Sequence, residues 1–105
     1  MNYKQIERID FETGCKAIEF DGVHGLYVFF NPETKHGITI AGISGNAFFD
    51  TGMARRLPEM LRDYIDSRTF KLKGRVGDTV LSGKQAAALV DGLGDIVDIY
   101  LGATA

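Results

Sequence analysis

The chain has 105 residues, 45% of them hydrophobic and 25% charged, which is the length and make-up of one folded domain and not of a disordered segment. A formal net charge of -2 gives no overall pull toward nucleic acid or an anionic membrane. The lone cysteine, Cys15, excludes an internal disulfide framework.

The first residues carry charges with no apolar run behind them, so no signal peptide is expected. The longest apolar run, residues 26–30, is far short of the ~20 residues that cross a bilayer. These features lead us to expect a cytoplasmic protein with no membrane partner.

The first half reads as strands. Residues 3–11 suit a strand, although Ile6 and Ile9 also fit a helical spacing. Residues 15–21 alternate weakly, with Ile18 and Phe20 opposite Ala17 and Glu19. Asp21-Gly22 is a turn signal, because glycine tolerates the positive φ of a tight hairpin. Residues 26–30 are rich in β-formers, and residues 31–37 make a polar loop of hairpin length. Residues 38–41 predict another strand, residues 42–46 a break, and residues 47–49 a short strand. Short connections between these pieces predict an antiparallel meander.

The period then changes. Met53, Leu57, Met60, Leu61, Tyr64 and Ile65 form one helical stripe, with Arg55, Arg56, Glu59, Arg62, Asp63 and Asp66 between them. Pro58 either kinks this helix or starts its main part. Residues 68–76 return to alternation, with Phe70, Leu72 and Val76 on one face and Lys71, Lys73 and Arg75 on the other. A final helix carries the stripe Ala86, Leu89, Val90, Leu93, Ile96, Val97 and Tyr100, in which Gly92 and Gly94 either weaken the helix or admit a close neighbour. The expected fold class is therefore α+β: an antiparallel β-sheet of four to six strands followed by helix, strand and helix, with the helices packed on the sheet.

Ser82-Gly83-Lys84-Gln85 is a capping box, in which a side-chain oxygen and a backbone N–H are exchanged at a helix start. Residues shifted back by 32 positions place Asp50 at the Ser82 position and Leu57, Leu61 and Ile65 at those of Leu89, Leu93 and Val97. An internal duplication would put a pseudo-symmetric site between the helices. Two strand-to-helix junctions resemble each other without any duplication, and the latter reading is favoured, since repeat folds generally need at least about three copies.

No catalytic constellation stands out. Cys15, His24 and His36 lack zinc-ligand spacing, and the two histidines are expected in turns at opposite ends of the strand at residues 26–30. Gly42-Ile43-Ser44-Gly45 matches neither a phosphate-binding loop nor a nucleophile elbow. No metal, cofactor or catalytic residue is assigned.

Charge is segregated. Residues 51–76 carry a net +4, and the segments on either side about -3 each. Lys71, Lys73 and Arg75 would therefore meet an acidic partner, or would keep an exposed edge strand from pairing with another sheet. Nucleic acid is disfavoured, because no aromatic side chains interleave with these cations.

Residues 26–30 are apolar on both faces, with Tyr27 and Phe29 opposite Leu26, Val28 and Phe30. Either helices cover both faces, or the Tyr27–Phe29 face is buried against a protein partner or a second copy. The expected function is a non-enzymatic protein-interaction module, a regulator or inhibitor of another protein and plausibly a homodimer, using Lys71, Lys73, Arg75, Tyr27 and Phe29. The alternatives are a small-ligand domain or minor enzyme using Tyr27, Tyr64, Tyr100 or His24, and nucleic-acid binding through the basic strand.

Overall fold

The computed structural model describes residues 3–102. Five strands run as an antiparallel meander: β1 (Gln5–Ile9), β2 (Lys16–Phe20), β3 (Val23–Phe30), β4 (Gly37–Ala41) and β5 (Ser44–Asp50). Helix α1 (Thr51–Leu61) follows, then a hairpin of β6 (Thr69–Lys73) and β7 (Asp78–Ser82), then helix α2 (Gly83–Tyr100). The hairpin returns to the free edge of β5, so one seven-stranded sheet has the order β1-β2-β3-β4-β5-β7-β6.

The α+β class and the antiparallel sheet agree with the sequence reading. Its count of four to six strands and its single strand between the helices are both too low. Residues 68–76 are not one strand: β6 stops at Lys73, and residues 74–77 turn the chain back. Gly74 N–H donates to Gly77 O at 2.9 Å, and Gly77 holds φ +75, a left-handed conformation open to glycine. The bend throws Val76 off the face it was expected to share with Leu72; Leu72 is buried, whereas Val76 is exposed and bridges Phe48.

His24 lies within β3 and not in a turn; the turn before it is Asp21-Gly22, with Gly22 at φ +82. His36 does sit in the exposed loop before β4. The expected break at residues 42–46 shrinks to residues 42 and 43, because the strand resumes at Ser44.

Helix α1 begins at Thr51, where the Asp50 carboxylate accepts from Met53 N–H at 2.8 Å. Pro58 lies inside it and leaves the Ala54 carbonyl without its usual donor. The helix ends three residues later and tightens into a 3-10 turn at Arg62–Tyr64. Helix α2 starts with the complete capping box: Gln85 N–H donates to Ser82 Oγ at 3.1 Å, and Ser82 N–H to Gln85 Oε1 at 2.9 Å. The buried Gln85 amide also donates to the His24 carbonyl at 3.0 Å, fastening the start of α2 to β3.

Strands β5 and β7 are antiparallel neighbours, so the two helices start from opposite ends of the sheet. The matched junctions therefore do not converge on a shared site. Of the matched helix positions, Leu57, Leu61, Leu89, Leu93 and Val97 are buried, while Ile65 has left the helix and is exposed.

Both helices pack on one face of the sheet. That face supplies Ile18, Phe20, Leu26, Val28, Phe30, Ile38, Ile40, Ala47 and Phe49 to the core, and α2 supplies Ala86, Leu89, Leu93, Ile96 and Val97. Thr79, fully buried, satisfies both its hydroxyl functions by accepting from Gly42 N–H at 2.8 Å and donating to Ser44 O at 3.1 Å. It thereby clamps the β4–β5 turn onto β7.

Candidate functional site

Strand pleating puts alternate residues of β2 to β5 on the face that no helix covers. Cross-strand registers align Ala17 with Phe29, Phe29 with Thr39 and Thr39 with Phe48, and Val76 then bridges Phe48. A second row adds Tyr27 opposite Ala41. Tyr27 and Phe29 stack at 5.8 Å between ring centroids and are each 36% exposed. An antiparallel sheet with one solvated face ordinarily alternates apolar with polar residues. Here the solvated face has an aromatic centre.

Two ion pairs lie toward the margins of the sheet. Arg8 bonds to Glu19 across β1 and β2, and Lys71 Nζ lies 4.0 Å from Asp78 Oδ2 across β6 and β7.

The structure separates the residues that the sequence grouped. Tyr27 and Phe29 lie together on β3, while Lys71 and Lys73 lie on β6, four strands away and roughly 19 Å off at the usual strand spacing. Arg75 is not on their strand. It sits in the β6–β7 turn, and its Nη1 donates to Asp50 Oδ2 at 2.9 Å. The basic row is thus broken into one ion-paired lysine, one lysine at a cavity rim, and an arginine locked to a helix cap. Strand β6 is an edge of the sheet, where lysines hinder pairing with other sheets.

A cavity of about 450 Å³ opens between α1 and β6. Its wall is apolar at Phe49, Met53, Leu57 and Met60, and charged at Arg56, Glu59 and Lys73. The sequence reading had Met53, Leu57 and Met60 as core and Arg56 as a solvated residue. The stripe alone could not show how far the sheet covers it: Leu57 is buried, whereas Met60 is 48% exposed.

Tyr100, Glu7 and Lys16 form a third cluster. The Tyr100 hydroxyl donates to Glu7 Oε2 at 2.5 Å, Lys16 Nζ lies 2.6 Å from Glu7 Oε1, and the same ammonium sits 4.9 Å above the Tyr100 ring. The Lys16 ammonium, then the Tyr100 hydroxyl, hold the Glu7 carboxyl below its ordinary value, and the Glu7 carboxylate in turn raises the Tyr100 phenol. Each partner's strongest bonding capacity is used within the trio, so the cluster fastens the end of α2 to β1 and β2 instead of presenting a reactive group. Asp50 is likewise lowered, first by the Met53 N–H and then by Arg75.

Cys15 is half-buried just before β2, and among the described residues no group of three or more His, Cys, Asp or Glu is placed to hold a metal. No described helix is long and apolar enough to cross a membrane. No family model matches the sequence, and no curated protein and no solved structure matches it either.

Proposed function

We propose that this chain is a non-enzymatic interaction module that packs the uncovered face of its sheet against a second copy of itself. The observation that carries the reading is the stacked Tyr27–Phe29 pair, continued by Phe48, at the centre of a face opposite both helices. Burial of such a centre removes apolar and aromatic surface from water, the main favourable contribution to association.

The choice of a second copy rests on charge. A two-fold interface brings the same patch onto itself, so a patch with net charge would repel its twin. The aromatic centre carries no charge, and the Arg8–Glu19 pair beside it is neutral within itself. Two such sheets would pack face to face about 10 Å apart, as in a β-sandwich. A face of roughly 25 by 20 Å would bury ~1,000 Å² in the pair, the lower bound for a specific interface. The expected complex is a dimer that dissociates at micromolar concentration.

Light scattering and native mass spectrometry across a dilution series test this. The wild-type chain should change from dimer to monomer, and Tyr27→Lys with Phe29→Lys should stay monomeric with an unaltered far-UV circular dichroism spectrum. A wild-type chain that is monomeric at every concentration up to the millimolar range would end the proposal.

A further inference from the structure

We infer that the cleft between α1 and β6 binds a small apolar carboxylic acid, with its chain along α1 and its carboxylate between Arg56 and Lys73. This goes beyond the sheet-face interaction and involves the opposite side of the molecule.

Two contacts tie the helical segment to the β6–β7 hairpin. At one end Arg75, in the turn after β6, reaches the Asp50 cap of α1. At the other, Tyr64 stacks on Phe70 of β6 with 4.5 Å between ring centroids. Helix and strand are thus held together at both ends, and between these contacts lies the cavity of about 450 Å³. That volume is within the usual range for small-molecule sites, roughly 300–1,000 Å³.

Met53, Leu57 and Met60 recur along one side of α1 and give the cleft an apolar floor together with Phe49. Methionine side chains adapt to irregular apolar shapes, which suits a flexible chain more than a rigid ring system. The helix rises about 10 Å from Met53 to Met60 at its usual rise per residue, a length that medium-chain acids such as octanoate and decanoate match.

The head-group chemistry follows from the charges. Arg56 comes from the helix and Lys73 from the edge strand; neither forms a direct salt bridge among the described residues, and the Arg56 charge also helps to lower the nearby Asp50 carboxyl. Glu59 is the third charged member, so the lining carries a net +1. This favours a monoanion over a polyanion such as a nucleotide, which Glu59 would repel. A guanidinium and an ammonium on two walls hold one carboxylate through charge-assisted hydrogen bonds.

The test is a titration of protein carrying 13C-methyl methionine, followed by the Met53 and Met60 methyl resonances, with octanoate, decanoate and 1-decanol each kept below aggregation. Both resonances should shift saturably with either acid. Each added methylene should tighten binding about fourfold, so decanoate should exceed octanoate by more than tenfold. Decanol should bind at least about tenfold more weakly than decanoate, since it lacks the charge that Arg56 and Lys73 receive. Arg56→Gln combined with Lys73→Gln should abolish the preference for acid over alcohol while alcohol binding persists, which shows that the cleft is still formed. Equal affinity for acid and alcohol in the wild-type chain, or no methyl shift up to the solubility limit, would overturn the inference.

Discussion

Helices α1 and α2 leave adjacent strands through the same kind of cap, yet they have different roles. Helix α2 runs for 18 residues, carries a reciprocal capping box and buries nine residues. Helix α1 runs for 11, contains Pro58, decays into a 3-10 turn and buries only Ala54, Leu57 and Leu61. The lesson is that a shared start says little about a helix. What separates these two is how far each continues over the sheet, and the shorter one leaves a cleft beside it.

The two helices should differ most in what they contribute to the core. Leu93 of α2 is fully buried, and Leu93→Ala should cost about 3 kcal/mol or more through lost burial and a residual cavity. Met60→Ala in α1, at 48% exposure, should cost under ~1 kcal/mol. Urea unfolding of the two variants would show the asymmetry, and equal losses would mean that α1 is as deeply seated as α2.

Two glycines of α2, two residues apart, have opposite surroundings. A Cβ at Gly92 would lie 2.6 Å from Phe20 Cε1 and 3.0 Å from Gln5 Nε2, whereas nothing lies within 4 Å of one at Gly94. Both replacements by alanine gain helix propensity, yet Gly92→Ala should destabilise by roughly 1–3 kcal/mol through overpacking. Gly94→Ala should stabilise by about 1 kcal/mol. Opposite shifts in melting temperature are the expected result.

The caps themselves give the smallest and most specific difference. Ser82→Ala should cost about 1 kcal/mol at any pH, since a hydroxyl carries no charge to titrate. Asp50 is different, because the Met53 N–H and Arg75 hold its carboxyl below the ordinary 3.8. A lowered folded value means that its contribution is present above pH 3.8 and is lost as pH falls through the folded value. Asp50→Asn keeps a capping oxygen and removes the charge, so its stability deficit should shrink on acidification below that range. A deficit independent of pH would show that the ion pair with Arg75 contributes nothing.

The sequence displayed the parts of this fold that depend on local pattern. Alternation placed Ile18 and Phe20 opposite Ala17 and Glu19, the 3.6-residue period placed the whole α2 stripe, and Ser82 and Gln85 marked a helix start that the hydrogen bonds reproduce. It left two readings of Gly92 and Gly94 open, and each applies to one of them. It failed where distant segments decide. Lys71, Lys73 and Arg75 alternate on paper, but Gly74 and Gly77 bend the chain so that Arg75 meets Asp50. The cleft was equally hidden, because whether Met53 and Met60 face a core or an opening depends on where β6 lies. The two-sided apolar character of β3 was legible, and the placement of both helices on one face is what turns it into an uncovered aromatic surface.

The position of β7 between β5 and β6 has a consequence for how the chain is made. The meander β1 to β5 is complete at Asp50, but the strand that shields the edge of β5 ends only at Ser82. During synthesis the ribosome takes about 2–6 s to add those roughly thirty residues at ~5–20 residues per second. A five-stranded sheet formed in that interval would have β5 as its open margin, with none of the lysines that guard the final margin at β6. Such a margin would be free to pair with a neighbouring nascent chain until β7 covers it.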